Sequence, residues 1–433
     1  MQRYESYKHS GFEWLGEIPS HWDIKRNIGV FVERKESNQA DMELLSVTIN
    51  RGIIKQDEIT AKKDGSNEDK SKYKVVRKND LAYNKMRMWQ GAIGASDYDG
   101  IVSPAYIVLR PRDALYSRYF HYLYRTEAFI AEANRHSYGL CLDMNSLRYE
   151  DFKTIYSPVP PNADVERIVN FLDQKTAEID AAIAKKQRLI ELLQEQKSIL
   201  INQAVTRGLN PNVAMRDSGV DWIGEMPMHW EIAANRRFIK KIVQGSSPAI
   251  DNINDESGYA VAKISVVKAG QYIDGEVKPI PRKLYRTEYQ INAGDFLLTR
   301  GNTPELVADV CYVDNRPSSP VMLSDLIYRL TFNSKKVDGR YMSYFFQCPI
   351  IRNQVRITAR GSSSTMVKVS QEHIKSWIVF CPPIQEQLAI AKYLSELESK
   401  INEVIRMTSN EIDKLVELRG GVIAMAVTGC YRI

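Results

Sequence analysis

The chain has 433 residues, 44% hydrophobic and 26% charged, with a formal net charge of +6. That length accommodates about three domains with real cores, and no run approaches the roughly 18 apolar residues of a membrane span. The N-terminus, MQRYESYKHSGF, has no apolar stretch behind its charges, so no secretory signal is expected. The five cysteines (Cys141, Cys311, Cys348, Cys381 and Cys430) are scattered without a C-x-x-C, which argues against a zinc site or disulfide framework and fits a reducing cytoplasm.

The first element in chain order is a phrase, SGFEWLGEIPSHW at 10–22, that returns 208 positions later as SGVDWIGEMPMHW at 218–230. So many rare residues in register mark an internal duplication, which must be settled before anything else is read. Trp14, Trp22, Trp222 and Trp230 read as core anchors, because an indole buries much apolar area and needs one partner for its N–H. The phrase itself is expected to perform no chemistry.

The polar stretch 48–74 follows and has no convincing counterpart in the second half. Within or beside it, Lys62, Lys63, Lys70 and Lys72 are candidates for phosphate contact. NDLAYNKMRMWQGAIG (79–94) places Asn84, Lys85, Arg87, Trp89 and Gln90 after a strand-like LAY. Arg, Asn and Gln make the bidentate contacts that distinguish base edges. AYIVLR (105–110) has strand composition, and 117–133 has helical spacing of Tyr, Phe and Ile.

A Pro pair at 160–161 then permits a fresh helix start. Ile168, Leu172, Ile179, Ile183, Ile190, Leu193, Leu200 and Ala204 step by threes, fours and sevens, the mark of a sustained coiled-coil seam. Adding 222 gives Ile390, Leu394, Ile401, Ile405, Ile412, Leu415, Val422 and Ala426, again all apolar and again preceded by a Pro pair, at 382–383. Each helix spans about 43 residues, or roughly 65 Å. Alone in water either stripe would be exposed, so the two are expected to bury each other. An approximate two-fold between the repeats makes them antiparallel; the rival arrangement pairs each helix with another chain.

Between the helices the second lobe repeats the scaffold. DFLLTR (295–300) and DLIYRL (325–330) read as strands, and 339–355 as helix, with GRYMSYFF (339–346) answering SRYFHYLY (117–124). Asp295 aligns with Asp80, which puts Arg300, Asn302 and Thr303 where the first lobe has its polar loop. GSSSTMVK (361–368) supplies Ser362, Ser363, Ser364, Thr365 and Lys368, with Arg356 and Arg360 upstream. Ordinary polar surface is the competing reading of any one of these. The charge divides with the repeat: segments 1–157 and 207–383 carry +2 and +6, while 158–206 and 384–433 each carry −1. Lobes that meet a polyanion and connectors that meet protein suit that division.

Catalytic signatures are missing. There is no G-x-x-x-x-G-K-[ST] and no G-x-G-x-x-G, and six histidines lie without metal-ligand spacing. VPPN and CPPI lack the Asn or Asp before, and the aromatic after, of an amino-methyltransferase motif. Glu195-Gln196-Lys197 and Glu398-Ser399-Lys400 match the E-x-K of nucleases only superficially and are expected on solvated helix faces. The chain reads as non-catalytic on its own.

Taken together, the two opening phrases, PPIQEQLAI (382–390) and FLDQKTAEIDAAIAKKQRLIELLQEQKSILINQAVTRGLNP (171–211) make the whole chain resemble the specificity subunits of type I restriction–modification enzymes. It departs at Ala163-Asp164-Val165, where the second copy has Gln385-Glu386-Gln387, and in ending VTGCYRI. The resemblance implies an α+β fold with two similar mixed α/β lobes and a pseudo-two-fold internal repeat: target-recognition domains at 1–157 and 211–380, a central spacer helix at 158–210 and a C-terminal one at 381–433, the helices forming an intramolecular antiparallel coiled coil. It also implies that each lobe reads half of a bipartite asymmetric double-stranded DNA site. Two modification subunits would dock on the chain and methylate adenine N6 with S-adenosylmethionine, and restriction motor-nuclease subunits using ATP and magnesium would join for cleavage. The competing class is a coiled-coil adaptor whose lobes bind proteins.

Overall fold

The structure, a computed structural model, describes residues 2–49, 51–58, 70–139, 145–220, 223–248, 257–363 and 366–433, with the side chains of 360–363 outside the description. It comprises two compact units, Met1–Gln187 with Ser409–Ile433, and Arg188–Thr408. Two long helices, Asn162–Arg207 and Ile384–Val427, each contribute one part to each unit. A unit is therefore a lobe packed on the N-terminal part of one long helix and the C-terminal part of the other. Among the described residues no helix is long and apolar enough to cross a membrane.

The first lobe is built on a four-stranded antiparallel sheet in the order Phe31–Glu33, Tyr106–Pro111, Leu81–Asn84, Ile93–Ala95. The second has the same four places filled in the same order by Ile239–Gln244, Ile327–Phe332, Phe296–Thr299 and Val310–Tyr312, and extends the sheet by Gly270–Tyr272 and Val267–Lys268. The strands expected at 105–110, 295–300 and 325–330 are present within a residue or two. The helical stretches at 117–133 and 339–355 each divide in two. Tyr116–Leu123 ends at Tyr124, and Thr126 starts Glu127–Arg135, its side chain accepting from the Phe129 N–H. Gly339–Gln347 ends at Cys348, and Pro349 opens Pro349–Thr358, because a ring nitrogen donates no hydrogen bond and fits a first turn.

Every seam position read from the sequence is buried or half-buried. In the first unit Ile168, Leu172, Val422 and Ala426 share one core, with Ile179, Ile183, Ile412 and Leu415 half-buried. In the second, Ile390, Leu394 and Ala204 lie in the core and Ile401 is buried, with Ile190, Leu193, Leu200 and Ile405 half-buried. Ile201 and Val205 add to that core and were not singled out by the spacing. The sevens in the spacing are filled by polar residues. Thr176 and Thr408 are buried and donate to the carbonyls of Leu172 (2.7 Å) and Val404 (2.8 Å) four residues back. Lys186 pairs with Glu411, and Arg419 donates to Asp180 at 3.3 Å, within the first unit; Lys197 pairs with Glu398 at 2.9 Å within the second. In each unit numbers rise along one helix as they fall along the other, so the helices are antiparallel. The E-x-K groups are thus not merely solvated: Lys197 and Glu398 leave 26% and 16% of their side-chain surface exposed and join the two helices. Polar groups placed in a seam cost stability but admit one register.

The duplicated phrase closes the ends of this pair. Trp22 is fully buried and its indole N–H donates to Asp164 (2.9 Å) in the first turn of the first long helix, beside His21 Nε2 at 2.8 Å from the same carboxylate. The far edge of that indole meets Gly429, the left-handed residue (φ +73°) just past the second long helix; a Cβ there would lie 2.9 Å from the Trp22 ring and 2.4 Å from Pro19. In the second unit Trp230 and His229 hold Glu386 at 3.1 and 2.8 Å, and Gly208 (φ +77°), past the end of the first long helix, lies against Trp230. Tyr119 and Tyr341, aligned in the repeat, donate to the last-turn carbonyls of Val427 (2.7 Å) and Val205 (3.4 Å). Each Trp therefore joins the start of one long helix to the end of the other. Trp14 is only half-buried but packs against the same core, edge-on to Phe129 at 5.4 Å. Trp222 lies outside the described residues.

Candidate nucleic-acid interface

Both candidate loops leave the sheet at the same place. Asp80 is buried, accepts the Arg77 N–H and takes both Nε and Nη2 of Arg34 at 2.6 and 3.1 Å. Asp295 accepts the Asn292 N–H and pairs with Arg329 at 3.2 Å. Arg34 follows the strand Phe31–Glu33 and Arg329 lies on Ile327–Phe332, so in each lobe an Asp closing the turn ahead of a strand is held by an arginine of the same sheet region, which fixes where the loop begins. The alignment of Asp80 with Asp295 marked the matching positions of the two loops; the turn-closing role of each Asp and the partners Arg34 and Arg329 were not legible.

In the first lobe the loop folds on itself. The Asn84 side chain accepts from the Met86 N–H (3.0 Å), the Trp89 indole donates to the Met86 carbonyl (3.1 Å), and Met88–Gln90 form a 3-10 turn ended by Gly91 at φ +79°. Lys85 is tied through its backbone to Leu147 at 2.9 Å. Arg87 is exposed, while Asn84, Lys85, Trp89 and Gln90 are half-buried. Asn84 and Trp89 thus spend hydrogen-bonding capacity on the loop's own shape, whereas the Lys85 tie is through backbone alone, which leaves Lys85, Arg87 and Gln90 as its freer polar side chains. The sequence reading missed Lys74, whose ammonium pKa is lowered by burial, with Glu33 opposing and the Lys85 and Lys35 charges adding to the depression. Lys70 is half-buried and Lys72 exposed; Lys62 and Lys63 lie outside the described residues.

In the second lobe the structure joins two stretches that are 60 residues apart. Gly301–Asn302 pairs with Met366–Lys368, which pairs with Arg360–Ser363, as a three-stranded ribbon in which Gly301 faces Lys368 and Asn302 faces Val367. Asn302 is half-buried with its Oδ1 on the Thr303 N–H (2.9 Å); Thr303, Arg356 and Lys368 are exposed. Arg300 is half-buried beside the Tyr328 hydroxyl, whose pKa burial raises and Arg300 pulls back. The side chains of Arg360, Ser362 and Ser363, and all of Ser364 and Thr365, lie outside the described residues. Arg356 stands on the helix Pro349–Thr358 rather than on the ribbon.

The loop is closed from behind by residues the sequence did not suggest. Buried Thr299 accepts from the Asp309 N–H (2.9 Å) through its hydroxyl and from the Ala308 N–H (3.0 Å) through its carbonyl. Arg352 donates to the carbonyls of Ala308 (2.9 Å), Glu305 (2.8 Å) and Val307 (2.7 Å). Burial lowers the Arg352 pKa, with Asp309 acting against and Arg356 adding to the shift. In the first lobe Arg125 holds the carbonyls of Ile93 (3.1 Å) and Ile49 (2.8 Å), its pKa brought down to about 10 by burial and by the neighbouring Arg419 and Arg118. Among the described residues no group of three or more His, Cys, Asp and Glu side chains is placed to hold a metal.

Residues 230–414 match the family model described as type I restriction modification DNA specificity domain. The chain is similar along 74% of its length, at 21% identity and over 67% of the relative, to the EcoKI specificity subunit of Escherichia coli (strain K12). It is 22% identical to the putative MjaX specificity subunit of Methanocaldococcus jannaschii, over 99% of this chain and 98% of that one. Its fold is shared with a chain from a type I restriction–modification structure (TM-score 0.69, 14% identity, 95% and 98% covered) and with the HsdS subunit of Thermoanaerobacter tengcongensis (TM-score 0.51, 15% identity, 96% and 98% covered).

Proposed function

We propose, from the chain's membership of the type I restriction–modification specificity subunits, that each lobe reads one half of a bipartite, asymmetric DNA site and that the paired helices fix the gap between halves. A specificity subunit is non-catalytic, and its part is recognition. The observation that carries the reading is a shared scaffold with unlike tips: the same four-strand order and the same Asp-closed turn lead into Asn84–Gln90 in one lobe and Arg300–Thr303 with Lys368 in the other. Exposed Arg and Lys contact phosphate or guanine, and Asn or Gln contacts adenine. Two modification subunits dock on the chain, bring S-adenosylmethionine and flip the adenine out of the duplex; restriction subunits bring ATP and magnesium. A cytoplasmic location accompanies these partners.

Methylome sequencing of cells with and without the gene tests the proposal. A two-part word with a fixed unspecified gap, methylated only when the gene is present, supports it. An unchanged methylome, together with no DNA binding by the assembled protein at low salt, would leave the protein-adaptor reading, since contacts to several phosphates weaken steeply with salt but never vanish at its low end.

A further inference from the structure

We infer that Arg352 is the positioning residue of the second lobe's recognition loop, holding it in a strained shape from beneath and so setting which bases that lobe accepts. The inference rests on the proposed reading that residues 300–309 meet DNA.

The loop contains Ala308 at φ +52°, a left-handed conformation that an alanine adopts only against a steric penalty. Such a residue persists where its surroundings over-determine it. Three bonds do so here: the Ala308 N–H to the Thr299 carbonyl, the Ala308 carbonyl to Arg352, and the neighbouring Asp309 N–H to the Thr299 hydroxyl. Arg352 also takes the carbonyls of Glu305 and Val307, so one guanidinium gathers three carbonyls of a five-residue turn. A planar fork with fixed donors suits this, and a lysine reproduces the charge but not the fan of bonds. The first leg of the same loop, Gly301–Asn302, is fixed from the other side by the ribbon strand Met366–Lys368. Asn302 and Thr303 therefore stand between two immobilised legs.

The first lobe supports the assignment independently. Counting back from the return strand, its left-handed residue is Gly91, at the place of Ala308. The residue beneath it is Ile130, whose Cδ1 lies 2.8 Å from where a Gly91 Cβ would be. Ile130 and Arg352 occupy equivalent positions on the second short helix of each lobe, given the constant offset of 222. One lobe uses a glycine and an apolar floor; the other uses a strained alanine and an arginine.

The test uses the full chain assembled with its modification subunits and duplexes carrying the word found by methylation mapping, with either half replaced in turn. Arg352→Met is expected to reduce discrimination at the second lobe's half about tenfold, the order of one well-made base contact, leave discrimination at the other half unchanged, and speed amide exchange at 303–309. Arg352→Lys should fall between Arg352→Met and the parent, and carries the test if the methionine variant does not assemble. Asn302→Ala is run beside them. Should Asn302→Ala weaken the second half's preference while both Arg352 variants keep it, the positioning role is overturned and the loop reading stands. Should the Arg352 variants speed exchange but neither they nor Asn302→Ala alter preference, the loop reading itself falls, and this inference with it.

Discussion

Replacing Asp164 by alanine should unfasten the first unit from the start of the first long helix. The carboxylate is 6% exposed and accepts from the buried Trp22 indole at 2.9 Å, from His21 at 2.8 Å and from Arg167. Removing it strands a buried N–H, a loss of about 1–3 kcal/mol. It also removes a negative charge from a helix first turn, about 0.5 kcal/mol, while the half-exposed His21 and Arg167 contribute little more. The total is about 3 kcal/mol, which for a unit of about two hundred residues lowers Tm by roughly 9 °C. Scanning calorimetry of the parent, Asp164→Ala, Trp22→Phe and the double variant measures it. The double variant should be less destabilised than the sum of the singles, because each alone leaves a buried partner without its mate.

The pH dependence has a definite sign. Burial pushes the Asp164 pKa up, but the hydrogen bonds from His21, Trp22 and Arg167 outweigh it and hold the carboxyl below its ordinary 3.8. A depressed folded-state pKa contributes stability above the unfolded value that disappears as pH falls through the folded one. The gap between the parent and Asp164→Asn, which keeps the shape without the charge, should therefore be full at pH 6 and shrink below pH 4. Additive single variants, a Tm within a degree of the parent, or a gap that widens in acid would refute the reasoning.

Gly429→Ala should destabilise the first unit by about 3 kcal/mol, from a left-handed backbone and a Cβ driven into Pro19 and Trp22. Gly208→Ala, whose Cβ meets the Glu386 carboxylate at 2.8 Å and Trp230 at 3.3 Å rather than a proline ring at 2.4 Å, should lose less, and thermal unfolding ranks the two. Alkylation at pH 8 followed by peptide mapping should modify exposed Cys430 readily and spare Cys311, whose thiol burial pushes far above its ordinary pKa, until the protein unfolds. Adding one heptad to both long helices lengthens each by about 10 Å, so methylation mapping should find the unspecified gap wider by about three base pairs, with both half-words retained.

The seam was legible because its chemistry is repetitive: steps of three, four and seven between apolar residues have one structural meaning, and all fourteen Ile, Leu and Val positions named from it are shielded. The residues that fix its register were not, since Thr176, Lys186, Lys197 and Thr408 are ordinary helix-surface types in a sequence, and only packing reveals that they fill the sevens. The phrase with Trp22 and Trp230 announced a duplication, yet its partners Asp164 and Glu386 lie more than a hundred residues away. The loops were placed correctly on the scaffold by Asp80 and Asp295. The internal bracing of the loops was less visible, because Asn84 and Trp89 bond within the first lobe's loop, and Arg352 and Thr299 hold the second lobe's loop from other elements. Local spacing carries helices; it does not carry a guanidinium reaching three carbonyls.

The head-to-tail pairing of the helices within one chain is open to direct measurement by zero-length carbodiimide cross-linking of an equal mixture of isotopically light and heavy protein, read by mass spectrometry. The ion pairs Lys186–Glu411 and Lys197–Glu398 should each convert to an amide joining peptides of the same isotope. Amides joining light to heavy peptides at those positions would place the partner helix on another chain and contradict the account.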